Sequence, residues 1–183
     1  MSSCNSNAVR EGKQIEIIKE VSYTEPVRVF EFFQEQTYSF FLDSGMDPER
    51  LGRYSLIGSD PFLVFKSKGG KAAVFEGGSW RDIKGDPLQI LRELLKRYTA
   101  ASDHRMPVTA GAFGYFAYDL GWQVDKPLMA VDDLGLPDCY LGFYDRLVIF
   151  DNHQGKMYLT STGLPEQGEG AIARARQRLE ELE

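Results

Sequence analysis

The residues best suited to chemistry sit between Phe40 and Phe62. There Asp43 and Ser44, in FFLDSG, and Tyr54 and Ser55, in RYSLIG, fall on two apolar-flanked stretches. A free amino acid needs a carboxylate for its ammonium and hydroxyls or backbone N–H groups for its own carboxylate; an aromatic side chain also needs an apolar wall. Asp43, Ser44, Tyr54 and Ser55 supply the polar types on two strands that could be neighbours. The plainer alternative is a hydrogen-bonded loop in which these residues only tie down DPERLGR.

No other constellation has comparable force. GAFGYF is only GxxG, so Gly111 and Gly114 read as packing glycines rather than a phosphate cradle. His104 falls in a loop and His153 in a turn, both reading as solvated histidines. Asp132 and Asp133 read as solvated loop charge. There is no nucleophile elbow and no HExxH. Cys4 and Cys139, with two histidines, make no metal cluster and read as free thiols of a reducing cytosol. Catalytic, cofactor-binding and metal-ligating residues are therefore assigned to none.

The formal charge of −6 argues against nucleic acid, because phosphate binding wants a basic surface. The one basic run, RARQR at 174–178, lies among glutamates and reads as a solvated helix face. No apolar run approaches the ~20 residues of a membrane span, and the amino terminus lacks a secretory h-region. These readings point to a cytoplasmic protein bound to neither nucleic acid nor membrane.

The elements that must position the 40–62 residues follow from periodicity. Residues 1–14 read as a disordered leader, and QIEIIKEVSY as a first strand. TEPVRVFEFFQEQ reads as a buried helix, with Pro26 in its first turn and apolar stripes at Val27, Phe30, Phe33 and at Val29, Phe32. TYSFFLDS alternates at Tyr38, Phe40 and Leu42. RYSLIGSD, PFLVFKSK and KAAVFEGG continue as strands of an antiparallel meander, with a hairpin at Gly69-Gly70. DPLQILRELLKRY is the clearest helix, capped by Asp86, started by Pro87 and lined by Leu88, Leu91, Leu94, Leu95 and Tyr98. YDRLVIFDNHQGKMYLTST reads as two strands turning at 152–155. EGAIARARQRLEELE reads as a helix carrying Ile172, Ala175, Leu179 and Leu182 inward, cut rather than finished at its end.

Three blocks occurring in order over residues 15–162 carry a family resemblance: FLDSGMDPERLGRYSLIGSDPF, GAFGYFAYDLG and LPDCYLGFYDRLVIFDNHQGKMYL. They resemble the amino-terminal domain of the chorismate-utilising synthases, para-aminobenzoate synthase component I (aminodeoxychorismate synthase) and anthranilate synthase component I. FLDSG is similar to the para-aminobenzoate form, where anthranilate synthases more often read LLES. The resemblance implies an α+β domain over 15–183, an antiparallel β-sheet with flanking helices. It implies that the catalytic chorismate-binding domain, with its Mg²⁺, lies outside this chain and packs against it, so that this fragment alone is inactive.

The resemblance also implies a reaction. The full polypeptide would aminate chorismate to 4-amino-4-deoxychorismate with ammonia from a glutamine amidotransferase subunit; the anthranilate branch would go on to eliminate pyruvate. By position, Leu42, Asp43 and Ser44 match the family's Leu-Glu-Ser triplet, and Tyr54 and Ser55 its Tyr-Ser. Those five residues would form an aromatic amino-acid pocket for tryptophan, completed by a proline-tyrosine stretch from beyond residue 183. Two readings of other classes remain beside it: a stand-alone amino-acid-binding module and a scaffold for the glutaminase.

Overall fold

A computed structural model describes residues 15–44, 46–47, 52–99, 106–118, 120 and 134–183. Thirteen elements follow in chain order: β1 (Ile17–Val21), α1 (Pro26–Phe30), β2 (Phe40–Leu42), β3 (Tyr54–Gly58), β4 (Leu63–Lys68), β5 (Lys71–Glu76), β6 (Ser79–Ile83), α2 (Pro87–Arg97), β7 (Gly111–Phe116), β8 (Cys139–Tyr144), β9 (Arg146–Asp151), β10 (Lys156–Ser161) and α3 (Gly168–Glu180). The strands make two five-stranded antiparallel sheets, ordered β1-β10-β9-β3-β2 and β6-β5-β4-β8-β7. This is the expected α+β class. Cys4, His104 and Asp132-Asp133 lie outside the described residues, as does the 1–14 leader.

Tight turns follow the glycines. Gly69 and Gly70 both take positive φ and close the β4–β5 hairpin as expected. Gly77-Gly78 does the same for β5–β6. The sequence reading overlooked β6 because SWRDI is an exposed edge strand without an apolar rhythm.

The expected single meander is split between sheets. β3 pairs with β2 and β9, whereas β4 pairs with β5 and β8. The break is Asp60-Pro61: Asp60 sits at φ 51°, and proline follows without an N–H to continue a ladder. Sheet-to-sheet contact comes from Phe40, stacked on Phe113 at 4.6 Å and edge-on to Tyr144 at 4.8 Å.

α2 behaves as its sequence demands. Asp86 Oδ1 accepts from the Gln89 amide at 2.8 Å, and Pro87 opens the helix. Its inner face carries Leu91 and Tyr98, with Ile90 and Leu94 packed against the same cluster. Leu95, expected inside, is 43% exposed. Gly114 is a packing glycine, since a Cβ there would stand 2.0 Å from the Tyr140 carbonyl oxygen.

Two expectations about helices fail. α1 is a short helix lying on the outer face of the first sheet, so only one side is covered. Phe33 is buried and Phe30 stacks on Phe41 at 5.3 Å, but Val27 is 61% and Phe32 79% exposed. The RARQR run is a solvated face only in part: Arg176 and Gln177 are exposed, but Arg174 and Arg178 turn inward. Asp145, the single residue between β8 and β9 where the chain passes from one sheet to the other, is fully buried. Arg174 Nε donates to its Oδ2 at 3.0 Å and Arg178 Nη2 to its Oδ1 at 3.1 Å. Arg178 also donates to the Asp60 carboxylate at 2.6 Å and to the Asp60 carbonyl at 2.7 Å. A buried carboxylate demands such partners, and spacing along the sequence does not reveal it. α3 buries Ala171, Ala175, Arg178 and Leu179.

Candidate functional site

The site at the β2–β3 rim is built by strand register. Phe41 lies opposite Ile57 and Leu42 opposite Leu56, so one further step sets Asp43 across from Ser55. Ser55 Oγ lies 3.0 Å from Asp43 Oδ1. It accepts from the Ser44 amide at 3.1 Å and from Asn152 Nδ2 at 3.0 Å. Asn152 Nδ2 also donates to the Gly52 carbonyl at 3.1 Å, and its amide N–H to the Arg53 carbonyl at 2.7 Å.

This geometry assigns the hydroxyl proton. A serine hydroxyl has one proton and two lone pairs. The Ser44 and Asn152 donors take the lone pairs, so the proton goes to Asp43, whose carboxylate accepts it. Ser55 is fully buried and has no donor left for a ligand. Asp43 is exposed, and among the described residues no cation pairs with it. The Ser44 hydroxyl likewise has no partner among the described residues. The arrangement is a held carboxylate beside a hydroxyl at an open rim, suited to an ammonium and a hydrogen-bonding anion.

Gly52 permits the loop to close. A Cβ there would come within 2.2 Å of the Ser44 carbonyl oxygen and 2.1 Å of the Met46 carbonyl oxygen, so both carbonyls pack directly on it.

The five sequence-selected residues do not share one face. Side chains alternate along a strand, so Asp43 and Ser55 lie with Phe41 and Ile57 while Tyr54 faces the other way. Tyr54 packs with Phe40 and Leu56 against the Tyr144, Leu147 and Ile149 cluster between the sheets. Leu42 shares that register face and is half exposed. Above Tyr54, the Arg53 guanidinium stands 4.9 Å from the ring centre and forks onto Asp151 at 2.8 and 3.1 Å. Burial pushes the Asp151 carboxyl up. The Arg53 fork and the amides of Gln154 and His153 outweigh it and hold the group below the usual carboxylate range.

Asn152 is the residue that sequence reasoning missed. Read as a turn former in FDNHQG, it reaches Ser55 only because β9 runs beside β3, with Ser55 opposite Phe150. His153 is exposed in the same turn. Two cavities lie elsewhere. One of about 510 Å³ is bordered by Lys66, Lys68, Lys71 and Asp82, and one of about 370 Å³ by Val29, Phe33, Met157 and Leu182. Among the described residues no group of three or more His, Cys, Asp or Glu side chains could hold a metal ion, and no helix is long and apolar enough to cross a membrane.

Comparison with known proteins decides the family. The family model described as chorismate binding enzyme matches residues 20–183. The chain belongs to the chorismate binding enzyme family. Similar proteins include anthranilate synthase component 1 of Acetivibrio thermocellus, 34% identical over 73% of this chain and 28% of that protein. Aminodeoxychorismate synthase component 1 of Bacillus subtilis is 28% identical over 62% of this chain and 25% of that protein. Anthranilate synthase component I from Streptococcus pneumoniae superposes with a TM-score of 0.54 at 24% identity, covering 72% of this chain and 29% of that one; this likeness concerns the fold alone. The family member described here thus matches only about a quarter to a third of its relatives' length.

Proposed function

We propose that residues 15–183 form the non-catalytic amino-terminal unit of a cytoplasmic component I synthase of the para-aminobenzoate branch. In the full polypeptide this unit packs against a chorismate-binding domain. That enzyme aminates chorismate to 4-amino-4-deoxychorismate, taking ammonia from a glutamine amidotransferase subunit. Within the unit, the β2–β3 rim seats an aromatic amino acid such as tryptophan. Asp43 meets the ligand's ammonium and the Ser44 hydroxyl meets its carboxylate, while Ser55 holds Asp43 without touching the ligand.

The observation that supports this reading is Asp43 itself. It is an exposed carboxylate, anchored at 3.0 Å by a buried hydroxyl and without a cation among the described residues, in a chain of this family. Among the described residues no group of three or more His, Cys, Asp or Glu side chains could hold the Mg²⁺ of the synthase reaction, which belongs to the proposed chorismate-binding domain. The anthranilate branch is the second reading, favoured by the 34% identity to an anthranilate synthase component 1 against 28% to an aminodeoxychorismate synthase component 1. Against it stands Asp43 itself, where the LLES form has Glu.

Product analysis tests the assignment. The purified 183-residue chain, given chorismate, ammonia and Mg²⁺, is expected to form neither product above a no-enzyme control. A polypeptide that also carries a chorismate-binding domain is expected to form 4-amino-4-deoxychorismate. Anthranilate from the longer polypeptide would move the chain to the second branch, and turnover by residues 1–183 alone would overturn the non-catalytic role.

A further inference from the structure

We propose that Asn152 is a positioning residue for Asp43, acting through the direction of the Ser55 hydroxyl proton. The amide of Asn152 has a fixed orientation: the Gly52 carbonyl can only accept, so the group 3.1 Å from it is the NH₂. Its second N–H then points at Ser55 Oγ, 3.0 Å away. With the Ser44 amide on the other lone pair, the hydroxyl has one direction left for its proton, Asp43 Oδ1. Ser55 is fully buried, so no water competes for that proton. The turn between β9 and β10 thereby sets the orientation of a carboxylate on β2, although Asn152 makes no contact with Asp43. As a role in ligand binding, the inference rests on the amino-acid site proposed above.

An isosteric change reverses the proton. In Asn152→Asp the introduced carboxylate accepts where the amide donated, and the Ser55 hydroxyl turns toward it, leaving Asp43 unheld. Simple charge arithmetic predicts the opposite effect on a ligand, because an added negative charge beside an ammonium should tighten binding. The two accounts therefore differ in sign.

The experiment titrates tryptophan by calorimetry into the full-length polypeptide as wild type, Asp43→Ala, Asn152→Asp, Asn152→Ala, Ser55→Ala and Asn152→Asp/Ser55→Ala. Crystal structures of the ligand-free wild type and Asn152→Asp accompany it. Asn152→Asp is expected to bind about tenfold more weakly than wild type, the scale of one hydrogen bond to a charged group. In the Ser55→Ala background the same change is expected to add no loss, since no hydroxyl remains to redirect. Asn152→Ala removes the donor and loosens the hydroxyl but offers no rival acceptor to Asp43, so its loss is expected to be smaller than that of Asn152→Asp. In the variant crystal, the exposed Asp43 carboxylate is expected to withdraw from hydrogen-bond distance of Ser55 Oγ, which then offers it only lone pairs.

Binding by Asn152→Asp equal to or tighter than wild type would overturn the proposal. So would an Asn152→Ala loss as large as that of Asn152→Asp, which would make Asn152 a loop anchor only. An Asp43 carboxylate still about 3 Å from Ser55 Oγ in the variant crystal would overturn it without reference to any ligand. Wild type that fails to bind millimolar tryptophan, with Asp43 withdrawn from Ser55 Oγ in the variant crystal, would instead sink the amino-acid reading and support the orientation of Asp43 by Asn152.

Discussion

Arg178 Nη2 stands 3.1 Å from Asp145 Oδ1, and this contact ties α3 to the corner where the two sheets share one chain. Asp145 is fully buried and the Arg178 side chain 7% exposed, so neither ion can fall back on water. Removing one partner of a buried pair costs about 3–5 kcal/mol when the other charge is left uncompensated. Arg174 stays on Asp145 when Arg178 is removed, so the low end of that range applies here. Arg178→Ala is expected to lower the melting temperature by roughly 6–12 °C for a chain of this size. Arg174→Ala should cost less, because that side chain is 29% exposed. Thermal unfolding followed by circular dichroism checks both; an Arg178→Ala melt equal to wild type would mean that α3 is held by its apolar residues alone.

Acid sensitivity should come from Asp151 and Glu181. Burial pushes both carboxyls up, but in each case the partners win and the group lies below its usual range. Those partners are Arg53 and two amides for Asp151, and Gln177, Arg146 and Arg178 for Glu181. A carboxyl depressed by folding binds its proton more readily in the unfolded chain. Its stabilisation is therefore present above the unfolded value, about 4, and is lost as pH falls through the lower folded value. Arg53→Met should thus be less stable than wild type at pH 7, with the gap closing below about pH 4. Urea melts at pH 7, 5 and 3 measure this, and a gap that is constant across that range would remove Asp151 as its source.

At the rim, Asp43→Ala is expected to weaken tryptophan binding by about 10- to 150-fold, the value of a hydrogen bond to a charged group of roughly 1.5–3 kcal/mol. Calorimetry on the full-length polypeptide, with phenylalanine as side-chain control, is the measurement. Equal affinity in both proteins would exclude Asp43 as the ammonium anchor and leave it as a loop tie.

Within α2 the two central leucines should separate. Leu91 is buried in the cluster formed by β4, β5 and β8, and Leu91→Ala is expected to cost about 2–5 kcal/mol. Leu94 is only partly buried against the same cluster, so Leu94→Ala should cost clearly less. Matched urea titrations decide it, and a reversed order would mean that the helix is rotated about its axis.

Local periodicity by itself determined most of the elements. Asp86-Pro87 and the leucines after it wrote α2, Gly69-Gly70 wrote a hairpin, and 152–155 wrote the β9–β10 turn; each depends on neighbours within a few residues. The ordered blocks around FLDSG, GAFGYF and LPDCYL were legible as a family, and Asp43, Ser44 and Ser55 as candidates for one site. Contacts between distant segments were not legible. Whether α1 is covered on one side or two depends on what packs over Phe32, and nothing in TEPVRVFEFFQEQ encodes that. RARQR reads as solvent-facing until Asp145, about thirty residues earlier in the chain, is buried beneath it. The alternation that joins Asp43 to Ser55 and turns Tyr54 away takes effect only once the β2–β3 register is set. Asn152 reaches Ser55 only because β9 pairs with β3. Hydrogen bonds and ion pairs act over about 3 Å in space, while sequence patterns report only on neighbours along the chain, so tertiary structure alone decided which polar groups meet.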